Sequence, residues 1–129
     1  MARQYREAAI AGVFQTKQGD LSDQTQPGVF WEVARGACED AGLTLGDIDG
    51  LVGFGPEGAG IRSGLPGAAA GYDTLGKPMR FHASSSIGAA ASAAALNLAV
   101  HAVETGLAEV VLIDNTVAGP AEDHAQRHL

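Results

Sequence analysis

Cysteine and aromatic residues are scarce in this sequence of 129 residues. The single cysteine, Cys38, excludes an internal disulfide and a metal site built from cysteines. His124 and His128 lie in a polar tail without a fixed scaffold, so we expect no metal site there either. Aromatic residues make up 5% of the chain, so its core must use small side chains that each contribute little on burial. One thiol fits a reducing compartment, and we expect a cytoplasmic protein.

Basic residues are also few. The chain has 8 Lys and Arg against 15 Asp and Glu, a net charge of −7, and the basic residues are scattered. This balance excludes a nucleic-acid partner, which would require clustered cations. Residues 1–14 lack the apolar stretch of a signal peptide. The longest apolar run, at 87–103, is interrupted by Ser92, Asn97 and His101, so no membrane span is predicted.

Short strands and helices alternate along the chain. Strands are predicted at 8–14, 50–54, 79–83 and 109–114, and helices at 28–41, 68–75 and 87–105. This order is typical of an α/β domain with a mostly parallel sheet. We expect one domain over residues 1–115. Residues 116–129 show no core pattern and predict a polar tail, either disordered or continuing into further sequence.

The helix at 28–41 has one apolar face. Its apolar residues recur at helical spacing: Phe30, Val33, Ala34, Ala37, Cys38 and Ala41. Pro27 suits the helix start and Gly42 a left-handed C-cap. Cys38 lies on the apolar face, so we interpret it as a buried structural thiol rather than a reactive one.

The helix at 87–105 is apolar almost all round. Ser86 is its predicted N-cap, and Asn97, His101 and Glu104 form its one polar stripe, which suits polar contacts at an interface. A helix of this kind must be covered on more than one side. We therefore expect coverage from further sequence, a second copy or another subunit.

Three stretches resemble a known family. FWEVARGACEDAGLTLGDIDGLV, at 30–52, resembles the first helix and second strand of thiolase-superfamily proteins. GAAASAAALNLAVHAVETGLAEVVLI, at 88–113, is similar to their nucleophile helix and the strand after it. AIAGVFQTKQG, at 9–19, resembles the opening strand of the lipid-transfer (sterol-carrier) thiolase-like branch. The resemblance implies a thiolase-like fold, of which this chain is part of the first half. The complete fold is a five-layer α-β-α-β-α sandwich.

The resemblance also implies where a nucleophile would lie. A thiolase requires a cysteine at the start of this helix, and the matching position, seventeen residues before Gly106, is Ala89. Alanine cannot attack a thioester. A shift of three residues would place Ser86 there, with His82 as its base. Ser84, Ser85 and Ser86 are better explained as turn and capping residues.

Loss of the cysteine suits another reaction of the same family. Some members of this branch that lack the cysteine cleave β-hydroxyacyl-CoA by a retro-aldol route, with a small partner carrying an OB fold and a zinc ribbon. The resemblance therefore implies an acyl-CoA substrate in lipid or steroid side-chain degradation and a homo- or hetero-oligomer. No covalently bound cofactor is implied. The base would come from sequence outside this chain. A non-catalytic structural subunit and a fragment of an acetyl-CoA acyltransferase remain alternatives.

One motif matches a different function. Residues 53–58, GFGPEG, fit the glycine pattern of a dinucleotide site, and Asp73 follows fifteen residues later. Such a site requires a helix to open at the third glycine, but further Gly and Pro residues follow at 60, 64 and 66. Glu57 would also face the phosphates. A flexible glycine-rich loop explains the segment better.

Overall fold

A computed structural model of the chain describes residues 6–54, 75–85 and 87–116. Its elements are α1 (Gln26–Ala41), β1 (Gly50–Phe54), β2 (Phe81–Ser85), α2 (Ala91–Glu104) and β3 (Val111–Asp114), with short 3₁₀ turns at Leu45–Asp47 and Gly88–Ala90. The three strands form a parallel sheet with β1 in the centre, in the order β2-β1-β3. The predicted α/β class with a parallel sheet is confirmed.

Helix α1 has a defined cap at each end. The Thr25 hydroxyl accepts a hydrogen bond from the Gly28 N–H at 3.1 Å, which satisfies one of the free donors of the first turn. Gly42 adopts a left-handed conformation with φ of 69°, as predicted for a glycine C-cap. The helix begins two residues before the predicted start because its cap is Thr25.

The two helices cover opposite faces of the sheet. On the α1 face, Phe30, Ala34 and Cys38 form a cluster with Ile48, Leu51 and Leu112. On the α2 face, Ala95 and Ala99 pack with Val52 against Phe81, Ala83, Val111 and Ile113. Neighbouring residues of β1 therefore point into different clusters, as the two-residue period of a strand requires.

The prediction of a strand at 8–14 is wrong, because these residues form no strand in the structure. They lie instead against α1. The Val13 N–H donates to the Asp40 carboxylate at 2.8 Å, and Gly12 lies directly against the backbone of Ala37 and Ala41. The segment thus contacts a helix rather than a sheet edge.

Two strand boundaries also differ from prediction. Strand β2 lies two residues later than predicted and includes Ser84 and Ser85, which were assigned to a turn. Strand β3 begins at Val111 rather than at Glu109. The cause is Asp49, whose carboxylate accepts the N–H groups of Glu109 and Val110 and keeps them out of the ladder.

Helix α2 begins at Ala91, four residues later than predicted, and its N-cap is Ala90, which makes no side-chain capping bond. The prediction of Ser86 as the N-cap is therefore wrong, because a 3₁₀ turn at Gly88–Ala90 precedes the helix. Leu96 and Leu98 remain 40% and 36% exposed, so part of the helix's apolar surface is uncovered by the described residues.

Some predictions concern residues outside the described ranges. They include the glycine-rich loop after Phe54, the helix at 68–75 except for Leu75, and the polar tail beyond Thr116. Within the described ranges, no helix is long and apolar enough to cross a membrane.

Candidate functional site

The carboxyl ends of the three strands meet at one edge of the sheet. Ser84 and Ser85 end β2, Gly53 and Phe54 end β1, and Asp114 ends β3. In open parallel sheets, ligands bind in the crevice outside these strand ends. The polar residues at this edge are therefore the candidate functional site.

Three of these residues lie side by side across the sheet. Gly53 is in register with Ser84 on one side and with Asp114 on the other. Two strand spacings separate the outer pair, about 10 Å between their Cα atoms. No atom of the described residues lies within 4 Å of the position that a Cβ of Gly53 would occupy. No described residue therefore covers the sheet surface at Gly53, between Ser84 and Asp114.

Asp114 is a buried carboxyl with an unsatisfied oxygen. Only 8% of the residue is exposed, and its Oδ1 has no hydrogen-bond partner among the described residues. Burial raises the pKa of Asp114 to about 6, although hydrogen bonds from the Thr116 hydroxyl and N–H act in the opposite direction. A carboxyl of this kind binds and releases a proton near neutral pH, a property concentrated at functional sites.

The start of α2 lies at the same edge, since it follows β2 directly. Ala89 is exposed within the 3₁₀ turn that precedes α2. Its methyl group supplies no nucleophile, and the N-cap residue Ala90 leaves the first turn of the helix without a side-chain cap. The N–H groups of this turn therefore keep their capacity to donate hydrogen bonds.

The other predicted site residues are placed differently. His82 is exposed on β2, two residues before the exposed Ser84, so the two side chains share one side of the strand. Ser86 lies outside the described residues, and its pairing with His82 stays a prediction. Cys38 is buried in the α1 cluster. Burial raises the pKa of the Cys38 thiol, and the Asp47 charge raises it further, as expected for an unreactive structural thiol.

Asp114 was not among the predicted site residues. Its signal was present, because an acidic residue ends the buried run Glu109–Asp114 at the carboxyl end of a parallel strand. The unsatisfied oxygen depends on packing and could not be predicted from this pattern. In the part of the chain that the structure describes, no cluster of His, Cys, Asp and Glu could hold a metal ion.

A second concave surface lies away from this edge. A cavity of about 590 Å³ is bounded by residues 7–14, α1, α2 and β3. Its lining is mainly aliphatic and includes Ile10, Val33, Leu96 and Val100. Few polar groups line the cavity that could orient a small ligand. The cavity is therefore better suited to packing against another apolar surface than to a reaction.

Comparison with known proteins shows a similarity to a solved structure. No protein-family model matches the chain, and no curated protein sequence matches it. The chain is similar to the solved structure of the Ltp2-ChsH2(DUF35) aldolase, with a TM-score of 0.67 and 27% identity over 95% of this chain. The chain spans 32% of the length of that chain.

Proposed function

We propose that this chain is a thiolase-like subunit of an enzyme that cleaves β-hydroxyacyl-CoA by a retro-aldol reaction. The observation that supports the proposal is the similarity to the Ltp2-ChsH2(DUF35) aldolase over 95% of the chain. Because the chain spans 32% of the length of its neighbour, further polypeptide completes the active unit. Its complete fold is then the five-layer thiolase-like sandwich.

The reaction suits a site that lacks a nucleophile. A retro-aldol cleavage needs a base for the substrate hydroxyl and donors for the enolate oxygen, but no covalent intermediate. Ala89 cannot form an acyl-enzyme, and Cys38 is buried in the core. The uncapped first turn of α2 offers backbone N–H groups of the type that stabilise an enolate.

The uncovered apolar surface supports an assembly with a partner. Leu96 and Leu98 on α2 are partly exposed, which suits a subunit that is covered in an assembly. The partner that we propose is a small subunit with an OB fold and a zinc ribbon. The substrate is a CoA thioester from the degradation of a lipid or a steroid side chain.

Product analysis tests the proposal. The chain is co-expressed with its neighbouring open reading frames, and the purified material is incubated with 3-hydroxybutyryl-CoA. We expect acetyl-CoA and acetaldehyde in equal amounts. Failure to form both products, together with turnover of acetoacetyl-CoA and free CoA to acetyl-CoA, would favour the acyltransferase alternative.

A non-catalytic structural subunit is the second candidate. It is favoured by the short span of the chain relative to its neighbour and by the missing nucleophile at Ala89. Native mass spectrometry of the co-expressed material distinguishes the two functions when it is combined with the assay. A defined complex whose activity is unchanged by substitutions at the candidate site would support the structural role.

A further inference from the structure

We propose that the aliphatic cavity between residues 7–14 and β3 receives one apolar β-strand of a partner chain, which pairs with the free edge of β3. The cavity measures about 590 Å³. Every residue that lines it belongs to the described part of the chain. The inference concerns assembly, goes beyond the proposed reaction and does not depend on it.

The cavity lies beside β3, in line with the sheet. Consecutive residues of this strand line it, although their side chains alternate between the two faces of the sheet. Val110 and Leu112 pack in the α1 cluster, whereas Val111 and Ile113 pack in the α2 cluster. A cavity that contacts both sets must lie at the edge of the strand rather than over one face. Because α1 and α2 also line it, an occupant is covered on both faces.

The edge of β3 that faces the cavity carries unpaired backbone groups. The Val110 carbonyl accepts the Gly50 N–H at 3.0 Å, and successive residues of a strand direct their N–H and C=O groups to opposite edges. Those of Val111 and Ile113 therefore point away from β1. Among the described residues, no strand pairs with this edge. An unpaired edge of this kind is a template for another strand.

Residues 7–14 form the opposite wall of the cavity. Their position is fixed by α1, because Gly12 lies against the backbone of Ala37 and the Val13 N–H donates to Asp40 at 2.8 Å. The wall is apolar, and the exposed fractions of Ile10 and Val13 are 72% and 70%. The gap between this wall and β3 is therefore bounded by apolar side chains and by one strand edge.

A strand fits these requirements better than a lipid chain does. An acyl chain could fill the apolar volume, but it has no groups that pair with the N–H and C=O groups of Val111 and Ile113. An added strand supplies both, since its main chain gives the hydrogen bonds and its side chains fill the pockets on either side. Covered on both faces, this strand would consist almost entirely of apolar residues. The four residues of β3 suit a partner strand of about four or five residues.

A partner chain is the source that the observations favour. The chain spans 32% of the length of its structural neighbour, so most of a unit of that kind is supplied by other polypeptide. The last residues of this chain are too polar for a strand buried on both faces, since they include Glu122, Asp123 and Arg127. A second copy is also a poor fit, because its own β3 edge faces its own cavity.

Amide hydrogen exchange at single residues, measured by NMR, tests the inference. In the chain alone, the N–H groups of Val111 and Ile113 should exchange about 100-fold faster than those of Leu112 and Asp114, which face β1. In the complex with its co-expressed partner, all four should be protected alike. Fast exchange at Val111 and Ile113 in the complex, or failure of the chain to form a complex, would overturn the inference.

Native mass spectrometry of the same complex tests the lipid alternative. A bound fatty acid, together with fast exchange at Val111 and Ile113, would assign the cavity to an acyl chain and overturn the proposed strand. The predicted protection in a complex that cleaves no 3-hydroxybutyryl-CoA would refute the proposed function and leave this inference standing.

Filling the cavity gives an independent test. Val100 lines it from α2, so Val100→Trp should occupy the volume and weaken the complex by about 10-fold or more. The control Leu107→Trp adds the same side chain at a residue that is 49% exposed and outside the lining, and it should assemble like wild type. Equal affinity of Val100→Trp and Leu107→Trp for the partner would contradict the inference. If Val100→Trp does not fold, the exchange pattern of the wild-type complex decides.

Discussion

The Asp49 carboxylate accepts a hydrogen bond from the Val110 N–H at 2.8 Å, while the Val110 carbonyl accepts one from the Asp49 N–H at 3.0 Å. Asp49 Oδ1 also accepts the Glu109 N–H at 2.9 Å, and Arg80 approaches Oδ2 at 3.2 Å. These contacts join the segments that lead into β1, β2 and β3. They align the starts of the strands, and therefore also the candidate site at their opposite ends.

Replacing Asp49 with alanine should destabilise the chain by about 2–3 kcal/mol, because the partly buried Val110 N–H and the exposed Glu109 N–H lose a charged acceptor. The Arg80 ion pair contributes little to this figure, since the Arg80 side chain is more than half exposed. Urea denaturation gives the free energy of unfolding. The control Glu109→Ala keeps the backbone N–H groups in place, so an equal loss in both variants would contradict this role for Asp49.

Gly12→Ala should detach residues 8–14 from α1. An added Cβ would collide with the backbone at Ala37 and Ala41, and backbone atoms cannot move aside as a side chain can. We expect a loss of about 1–3 kcal/mol and faster amide hydrogen exchange at Val13, measured by NMR. Gly46→Ala is a suitable control, because its Cβ would meet the Thr44 Oγ1 at 3.4 Å. Unchanged exchange at Val13 in Gly12→Ala would show that the segment lies elsewhere.

The stability contribution of Asp114 should depend on pH. Its pKa is raised to about 6 in the folded chain from an ordinary value of 3.8. The folded state therefore holds the proton more tightly than the unfolded state. The resulting stabilisation is complete below pH 3.8 and is lost as pH rises through about 6, a change of about 3 kcal/mol.

Chemical denaturation at a series of pH values tests this dependence. Asp114→Asn has no carboxyl to ionise, so the difference in unfolding free energy between wild type and this variant should change between pH 4 and 7. A difference that stays constant across this range would show that Asp114 ionises normally.

A cysteine introduced at position 89 should react with a thiol reagent much faster than the native Cys38. Cys38 is buried, so the native wild-type chain should react with iodoacetamide only very slowly at pH 7. Ala89 is exposed, and Ala89→Cys should add one rapidly alkylated thiol. Mass spectrometry counts the adducts. Fast labelling of Cys38 in the folded wild-type chain would contradict its assignment to the core.

Local patterns were sufficient to predict the elements that depend on local chemistry. Helix α1 follows from its apolar spacing, Pro27 and Gly42, and β1 lies where a short apolar run follows an acidic turn. The boundaries that failed depend on contacts between distant residues. The shifted start of β3 depends on Asp49, which lies sixty positions before Glu109.

The candidate site was predicted only in part. The resemblance predicted a site at the start of α2 and at Ala89, which lies exposed at the same sheet edge as Asp114. The burial of Asp114 and its unsatisfied oxygen could not be predicted, because both depend on packing between residues that are distant in the sequence. The prediction for 8–14 failed for a similar reason, since the hydrogen bond between Val13 and Asp40 joins residues that are 27 positions apart.

The central claim, cleavage without an enzyme nucleophile, is tested most directly by the balance of free CoA. The co-expressed complex is incubated with 3-hydroxybutyryl-CoA, with and without added CoA, and all CoA species and acetaldehyde are quantified over time. A retro-aldol reaction predicts one acetyl-CoA and one acetaldehyde for each substrate consumed, at a rate independent of free CoA. Product formation that requires and consumes free CoA would contradict the account.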